Sequence, residues 1–293
     1  MKNNLSKIGI VGKGFVGGAV SQGFGVGTGA DNEIRIYDTD TKKATHDLSD
    51  TINNSDFVFI SVPTPSNNDG VIDLTIIDNC LNEINNKYIS REEDAIFLIR
   101  STITPGSSRY FQEKYKNIKI VFNPEFLTER NALFDFISQS RYVLGGEKTH
   151  TKKVADLYRE RFGNSISIIE TDFESAELIK YMCNTYFAMK ISFLNEMKIL
   201  ADRVNANWDD CVEGMVRDGR IGHSHMNIPG PDGKYGFGGS CFPKDIQAII
   251  NFASEKGINL NTLEGAWKTN LNVRPERDWE KLVGRAISEK DLD

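Results

Sequence analysis

A doubly wound parallel α/β sheet, followed by an all-helical region and joined to it by one long helix, is the architecture that three observations predict. Short apolar runs of strand length alternate with helical stretches through roughly the first 170 residues. The turn Gly12-Lys13-Gly14-Phe15-Val16-Gly17 stands between the first apolar run and the first helix. From Phe173 to Val204 the chain has neither proline nor glycine, and its apolar residues recur at helical spacing.

Taken in order, Lys7 to Val11 reads as a buried strand, the glycine turn follows at once, and a helix runs from about Phe15 to Gln22. Gly23 to Gly29 is a glycine-dense connector expected to be a flexible turn. A second strand, Ile34 to Tyr37, ends in Asp38. Further strands are expected at Phe57 to Val62, Ala95 to Ile99, Ile118 to Phe122 and Tyr142 to Gly145. The uninterrupted stretch after Ile169 predicts a helix about 45 Å long at 1.5 Å per residue, a length that suits an element joining domains or subunits. Shorter helices are expected at about Trp208 to Asp218 and Lys244 to Lys256, separated by the Gly-, Pro-, Asn- and His-rich loop Arg220 to Gly239. The mixed charges of Val273 to Asp293 read as a terminal helix.

Composition narrows the class. A chain of 293 residues has room for about two domains. With 39% hydrophobic and 26% charged residues it reads as a globular protein, and no apolar run nears the roughly 20 residues of a membrane span. The N-terminus lacks the pattern of a signal peptide, so the cytoplasm is the expected compartment. The net charge of -6 provides no footprint for nucleic acid. Cys80, Cys183, Cys211 and Cys241 have no CxxC spacing, which argues against a zinc ribbon and a disulfide framework.

Four constellations carry chemistry. Between a strand and a helix, Gly12 permits the turn, Gly14 lets backbone approach a pyrophosphate, and Gly17 lets helix pack on strand. Asp38 lies about 20 residues on, where a carboxylate accepts ribose hydroxyls and favours NAD over NADP. In the long helix, Glu177, Lys180 and Asn184 share one face at spacings of three and four, and the last two can donate to one oxyanion. Asn123-Pro124-Glu125-Phe126-Leu127-Thr128-Glu129 and Ser101-Thr102 both follow strands at the edge where doubly wound sheets bind ligands. Finally, Gly236-Phe237-Gly238-Gly239-Ser240-Cys241-Phe242-Pro243-Lys244-Asp245 surrounds a cysteine with glycines and charges, a setting that suits a thiolate able to trap an aldehyde. His223 and His225 lack further ligands nearby, and no metal site is expected.

These segments, with Val62-Pro63-Thr64-Pro65 and Arg220-Ile221-Gly222, occur in the order of the motifs of the UDP-glucose/GDP-mannose dehydrogenases, and the chain resembles that family over nearly its whole length. The resemblance implies a Rossmann-type domain binding NAD, a helical central domain and a homodimer formed through the long helix. It implies that Cys241 is the nucleophile, that Asp245 and Thr102 orient water or assist proton transfer, and that Lys180 and Asn184 stabilise oxyanions. Glu125 and Glu129 align with loop carboxylates, one of which helps to handle the hydrolytic water. Phe15, Val16, Lys43, Pro63, Thr64 and Lys244 fall at cofactor positions beside Gly12, Gly14, Gly17, Asp38 and Thr102. Phe126, Leu127, Arg220, Phe237 and Gly238 fall at substrate positions, with Arg220 reaching a sugar across the dimer interface. Lys244 is also expected to support the charge of the thiolate.

The expected domains are an NAD-binding domain over 1–170, a helical central domain over 171–270 and a tail over 271–293. Members of the family usually continue into a second nucleotide-binding domain, for which this sequence has no counterpart. The implied activity is oxidation of the C6 alcohol of a nucleotide sugar, UDP-glucose first, through an aldehyde and a cysteine-bound thioester. GDP-mannose and UDP-N-acetylhexosamines stay open as substrates. So do a single-step hydroxyacid-type dehydrogenase and an inactive NAD-binding scaffold.

Overall fold

The computed structural model describes residues 6–67 and 69–289. The first residues, on which the compartment reading rests, and residues 290–293 of the expected tail lie outside them. Seven strands form one sheet: β1 (Ile8–Val11), β2 (Ile34–Tyr37), β3 (Phe57–Ile60), β4 (Ile96–Ile99), β5 (Lys119–Phe122), β6 (Arg141–Gly146) and β7 (Ser167–Thr171). Their order is β2-β1-β3-β4-β5-β6-β7. The first five are mutually parallel, in line with a doubly wound sheet.

Side chains on these strands alternate between two apolar layers, as the period of two requires. Val11, Val58, Ile60, Phe97 and Ile99 pack with residues of α2 (Leu48–Asn53), α3 (Thr75–Lys87) and α4 (Ser107–Lys114). Ile8, Ile10, Phe59, Ile96 and Leu98 pack with residues of α1 (Phe15–Gly23), α5 (Ala132–Ile137) and α6 (Lys148–Phe162). Burial of both faces is what makes these strands continuous apolar runs rather than alternating ones.

The sheet departs from a uniformly parallel one at β6, which runs antiparallel to β5 through a register of two residue pairs. The connection from Phe122 to Arg141 reverses the chain beside its own strand, with only the six-residue α5 as a regular helix. β7 was not anticipated: it is an edge strand, parallel to β6, whose residues are largely exposed or half-exposed. The Gly23 to Gly29 connector is also more ordered than a flexible turn. It forms a 3-10 turn at Val26–Thr28, Thr28 Oγ1 donates to Gln22 O at 2.8 Å, and Arg161 Nε donates to Gly23 O at 2.7 Å.

The long helix is present as α7 (Phe173–Arg203) and is followed by α8 (Trp208–Val216), α9 (Cys241–Glu255) and α10 (Asn261–Val273). The chain divides into two compact units, one of residues 1–64 and 74–180, the other of 65–73 and 181–293. The second unit has its own core, in which Ala188, Ile191 and Leu194 of α7 pack with Val216, Phe237, Ile246 and Ala266. Its short stretch 65–73 is tied to the end of the chain: Ser66 pairs with Ile287, Ser66 N and Oγ both donate to Ala286 O at 3.0 Å, and Ser288 Oγ donates to Asp73 Oδ2 at 3.0 Å. The expected terminal helix is absent from the described residues. After α10 a 3-10 turn at Asp278–Lys281 leads into this bridge, in a segment broken by Pro275 and Gly284.

Candidate functional site

In the first unit the glycine turn is built from backbone. Gly12 has φ +89° and sits so close to the carbonyl of Ser61 that a Cβ there would lie 2.5 Å from its oxygen. A Cβ on Gly17 would lie 2.0 Å from Gly12 O, so helix α1 can approach β1 only without a side chain at this point. Gly14, the N-cap of α1, has no side-chain cap, and nothing lies within 4 Å of where its Cβ would be. Open space therefore meets uncapped backbone N–H groups at a helix N-terminus, which suits a pyrophosphate. Asp38 closes β2 and reaches back, accepting from Lys13 N at 2.6 Å and Asp40 N at 2.8 Å. Lys43 pairs with Asp40 at 3.7 Å beside it. These residues fit a dinucleotide, with Phe15, Val16 and Gly17 opening the helix behind the turn.

The ends of β3, β4 and β5 carry the next group. Thr64 Oγ1 donates to Thr102 O at 2.7 Å, and Ser101 Oγ donates to Val62 O at 2.6 Å, so the Val62-Pro63-Thr64 and Ser101-Thr102 segments are fastened together. Asn123 is buried; its Oδ1 accepts from Arg100 Nη1 at 2.6 Å and Tyr158 Oη at 2.5 Å, and its Nδ2 donates to Val143 O at 3.0 Å. That network fixes the backbone just ahead of Glu125. Lys180 Nζ donates to the backbone carbonyl of Glu125 and lies 3.4 Å from its Oε2, and Glu125 Oε1 accepts from Leu127 N. Both side chains are buried, and a pair so enclosed relies on these extra hydrogen bonds to offset its desolvation. The Phe126 ring has Arg141 Cζ at 4.3 Å and Lys180 Nζ at 5.4 Å from its centroid. Glu129, by contrast, is exposed in a 3-10 turn.

The second unit holds the cysteine. Cys241 is the first residue of α9, three residues ahead of the helix start read from the sequence, because Pro243 is tolerated in a first turn. Behind it, Asp245 is 1% exposed and its carboxylate is taken up by Lys244 Nζ at 2.5 Å and Asn184 Nδ2 at 2.6 Å. Lys244 thus pairs with the carboxylate of the neighbouring Asp245. Asn184 and Lys180 are one turn apart on α7, and each is engaged with a carboxylate-bearing residue.

The turn ahead of Cys241 is held by side chains that sequence reading missed. Asn270 Oδ1 accepts from Phe237 N at 2.7 Å and its Nδ2 donates to Phe237 O at 3.0 Å. Asn195 Oδ1 accepts from Gly236 N, and Asp278 Oδ2 from Gly239 N. Arg274, almost fully buried, pairs with Asp278 at 2.6 Å and Asp232 at 2.6 Å, and a Cβ on Gly238 would meet its guanidinium at 2.5 Å. Such amides give no pattern in one sequence, since a buried Asn in a helix reads like any polar residue. Phe237 itself is buried between Phe242 and Trp267, with both backbone groups engaged by Asn270. Arg220 is exposed and paired with Asp218 at 2.5 Å. His225 stacks on Phe187 with centroids 4.3 Å apart, and burial together with the nearby Lys190 holds its pKa low. No helix among the described residues is long and apolar enough to cross a membrane.

Comparison with known proteins agrees with both units. Residues 35–162 match the NAD-binding domain, and residues 174–272 the central domain, of the UDP-glucose/GDP-mannose dehydrogenase family. The UDP-glucose 6-dehydrogenase of Rickettsia prowazekii is 35% identical over 251 residues, 84% of this chain and 56% of that protein. The chain thus spans little more than half the length of that relative. Among solved structures, a UDP-glucose dehydrogenase from Pyrobaculum islandicum superposes with a TM-score of 0.79 at 24% identity, over 93% of this chain and 69% of that one. A 3-hydroxyisobutyrate dehydrogenase from Mycobacterium tuberculosis superposes with 0.74 at 15% identity, over 93% and 95%. Likeness at these identities shows the fold alone. With the NAD-binding and central domains of one family matched in order along most of its length, the chain belongs to the UDP-glucose/GDP-mannose dehydrogenase family.

Proposed function

We propose that this chain carries out the NAD-dependent oxidation of the C6 alcohol of a nucleotide sugar to the acid, with UDP-glucose as the first candidate substrate. The observation that carries the reading is the cysteine turn: Cys241 opens helix α9 directly ahead of a buried Asp245 held by Lys244 and Asn184. A helix N-terminus favours negative charge, and hence a thiolate at its first residue. A cysteine so placed has no use in a one-step alcohol oxidation, but it is needed to carry an aldehyde to an acid.

Each NAD, when bound, would accept one hydride, so two NAD bound in turn would take the two hydrides lost by each sugar. In the first oxidation Lys180 and Asn184 donate to the alkoxide that develops as the alcohol loses its proton. In the second, Cys241 Sγ bonds to the aldehyde carbon, giving a thiohemiacetal that becomes a thioester as its carbon gives up a hydride and its hydroxyl a proton. Water then adds to the thioester carbonyl, the C–S bond breaks, and the acid leaves with the thiol restored. Asp245, Thr102 and Glu125 serve to orient that water and take its proton, with Glu129 as a more exposed second carboxylate. Arg220, exposed in its loop, is assigned to the sugar nucleotide of a second copy of the chain.

We assign that second copy to α7, because Met182, Tyr186, Phe193, Met197 and Leu200 form an exposed apolar stripe along it. Replacing Tyr186 and Phe193 together by Glu is expected to halve the mass measured by light scattering.

The test is NADH formed per sugar consumed across UDP-glucose, GDP-mannose and UDP-N-acetylhexosamines. Two per sugar are expected, with Cys241→Ser stalling on a bound intermediate. One per sugar favours the hydroxyacid-type alternative, and NAD binding in calorimetry without any sugar binding favours a scaffold. Normal turnover to acid by Cys241→Ser removes the cysteine from the mechanism.

A further inference from the structure

Glu177 lies on the same face of α7 as Lys180 and Asn184, yet the proposed reaction gives it no part. Its carboxylate is fully buried and receives two backbone donors, Gly106 N at 2.6 Å on Oε2 and Ser108 N at 2.7 Å on Oε1. Those N–H groups open helix α4, whose N-cap Gly106 offers no side chain to accept them. One turn earlier, Glu174 binds Arg109 of α4 through both nitrogens, at 2.5 and 2.8 Å. One turn later, Lys180 binds the carbonyl of Glu125. The first turns of α7 therefore grip two neighbouring connections, the one after β4 that contains Thr102 and the one after β5 that contains Glu125.

We propose that Glu177 is a positioning residue that holds the Thr102 turn in register with Lys180, acting through the amides of Gly106 and Ser108. The inference rests on the functional reading above for the role of Thr102. The fit of the carboxylate is specific: its two oxygens meet two N–H groups two residues apart, and an apolar side chain filling the same space would leave both donors unmet. Because the carboxylate is enclosed, burial pushes its pKa up to about 7, against the pull of the same two N–H groups. Enclosure thus opposes the charge that these contacts favour, and the carboxyl takes up a proton more readily than an exposed one. From the other end, Thr64 Oγ1 holds the carbonyl of Thr102 itself, so loosening Glu177 frees one end of the turn and not the other.

Glu177→Gln keeps the size of the side chain but leaves one amide facing an NH2 group. The expected result is a folded protein with kcat at least ~10-fold lower, KM for the sugar and Kd for NAD within ~2-fold of wild type, and faster hydrogen exchange in the peptide 102–108. Glu177→Asp, charged but one methylene shorter, is expected to fall between the two, and it serves in the same measurements should the Gln variant not fold. A kcat within ~2-fold of wild type in a folded variant overturns the proposal. Unchanged protection of the 102–108 peptide overturns it too, whether or not the wild type oxidises a sugar. A wild type that forms no NADH with any nucleotide sugar overturns the functional reading alone.

Discussion

The molecule contains two glycine turns that each lead into a helix, and they are stabilised in opposite ways. The turn at Gly12 to Gly17 is made of backbone pressed on backbone, against Ser61 and against its own first residue. The turn at Gly236 to Ser240 is held by side chains from far along the chain: Asn195, Asn270, Arg274 and Asp278. A Cβ on Gly236, which has φ +68°, would meet the Asn270 amide at 2.4 Å. Hence the first turn excludes a side chain at Gly12 and Gly17 through its own backbone and that of Ser61, whereas the second depends on distant side chains. A site that binds a repeated chemical unit such as pyrophosphate needs only main-chain donors, while a reactive side chain needs its backbone oriented from several directions.

The largest effect that would test this contrast is at Gly17→Ala. Its methyl would stand 2.0 Å from a backbone oxygen that has no rotamer to yield. A loss of about 4 kcal/mol and of NAD affinity is expected by thermal melting and calorimetry. Asn270→Ala comes next, with a loss of about 3 kcal/mol from the two unmet backbone groups of Phe237, while NAD affinity is retained. An equal loss of NAD affinity in both variants would break the comparison.

The Thr102 turn supplies an intermediate case, held by a charged side chain whose energetics depend on pH. Glu177 is raised to about 7 by burial, above its ordinary 4.5, so the folded state binds a proton that the unfolded state has released. Its contribution is therefore fully present below pH 4.5 and is lost as pH rises through 7. Of the charges around it, Glu174 is held low by its hydrogen bond to Arg109, and Arg109 stays ionised, so neither titrates between pH 5 and 7. Relative to Glu177→Gln, the wild type is expected to lose about 2 kcal/mol between pH 5 and 7 in denaturant melts. A flat difference would mean that the carboxyl is not enclosed in solution. The smallest effect is at Arg220→Ala: its side chain is 89% exposed, and stability is expected to stay within about 0.5 kcal/mol while KM for the sugar rises.

Much of the sheet was legible because buried parallel strands are short, uniformly apolar and bounded by turns, as in Ile96–Ile99. β7 escaped notice because an edge strand with exposed residues resembles a polar loop, and the reversal at β6 escaped because strand direction leaves no mark in composition. In the site, residues found by motif were the charged and the glycine positions. Their partners were harder to read. Lys244 sits close to Cys241 in sequence, but a buried ammonium goes to the nearest enclosed carboxylate, which is Asp245. Asn195 and Asn270 lie on helices 41 and 33 residues from the backbone they hold, a distance over which sequence spacing carries no signal.

The stretch 65–73, tied to Ala286 and Ser288, sets the order in which the second unit can be completed. Ser66 and Ala286 are 220 residues apart in the chain. During synthesis the earlier partner emerges long before the later one, and its polar groups stay solvated until Ala286 has followed. Closing so long a loop belongs among the slow, late contacts of a fold. A fragment beginning at residue 181 would carry the cysteine turn but lack the piece that completes its own unit. The second unit is thus a neighbour along the chain only in part, and its completion waits for residues 286 to 288.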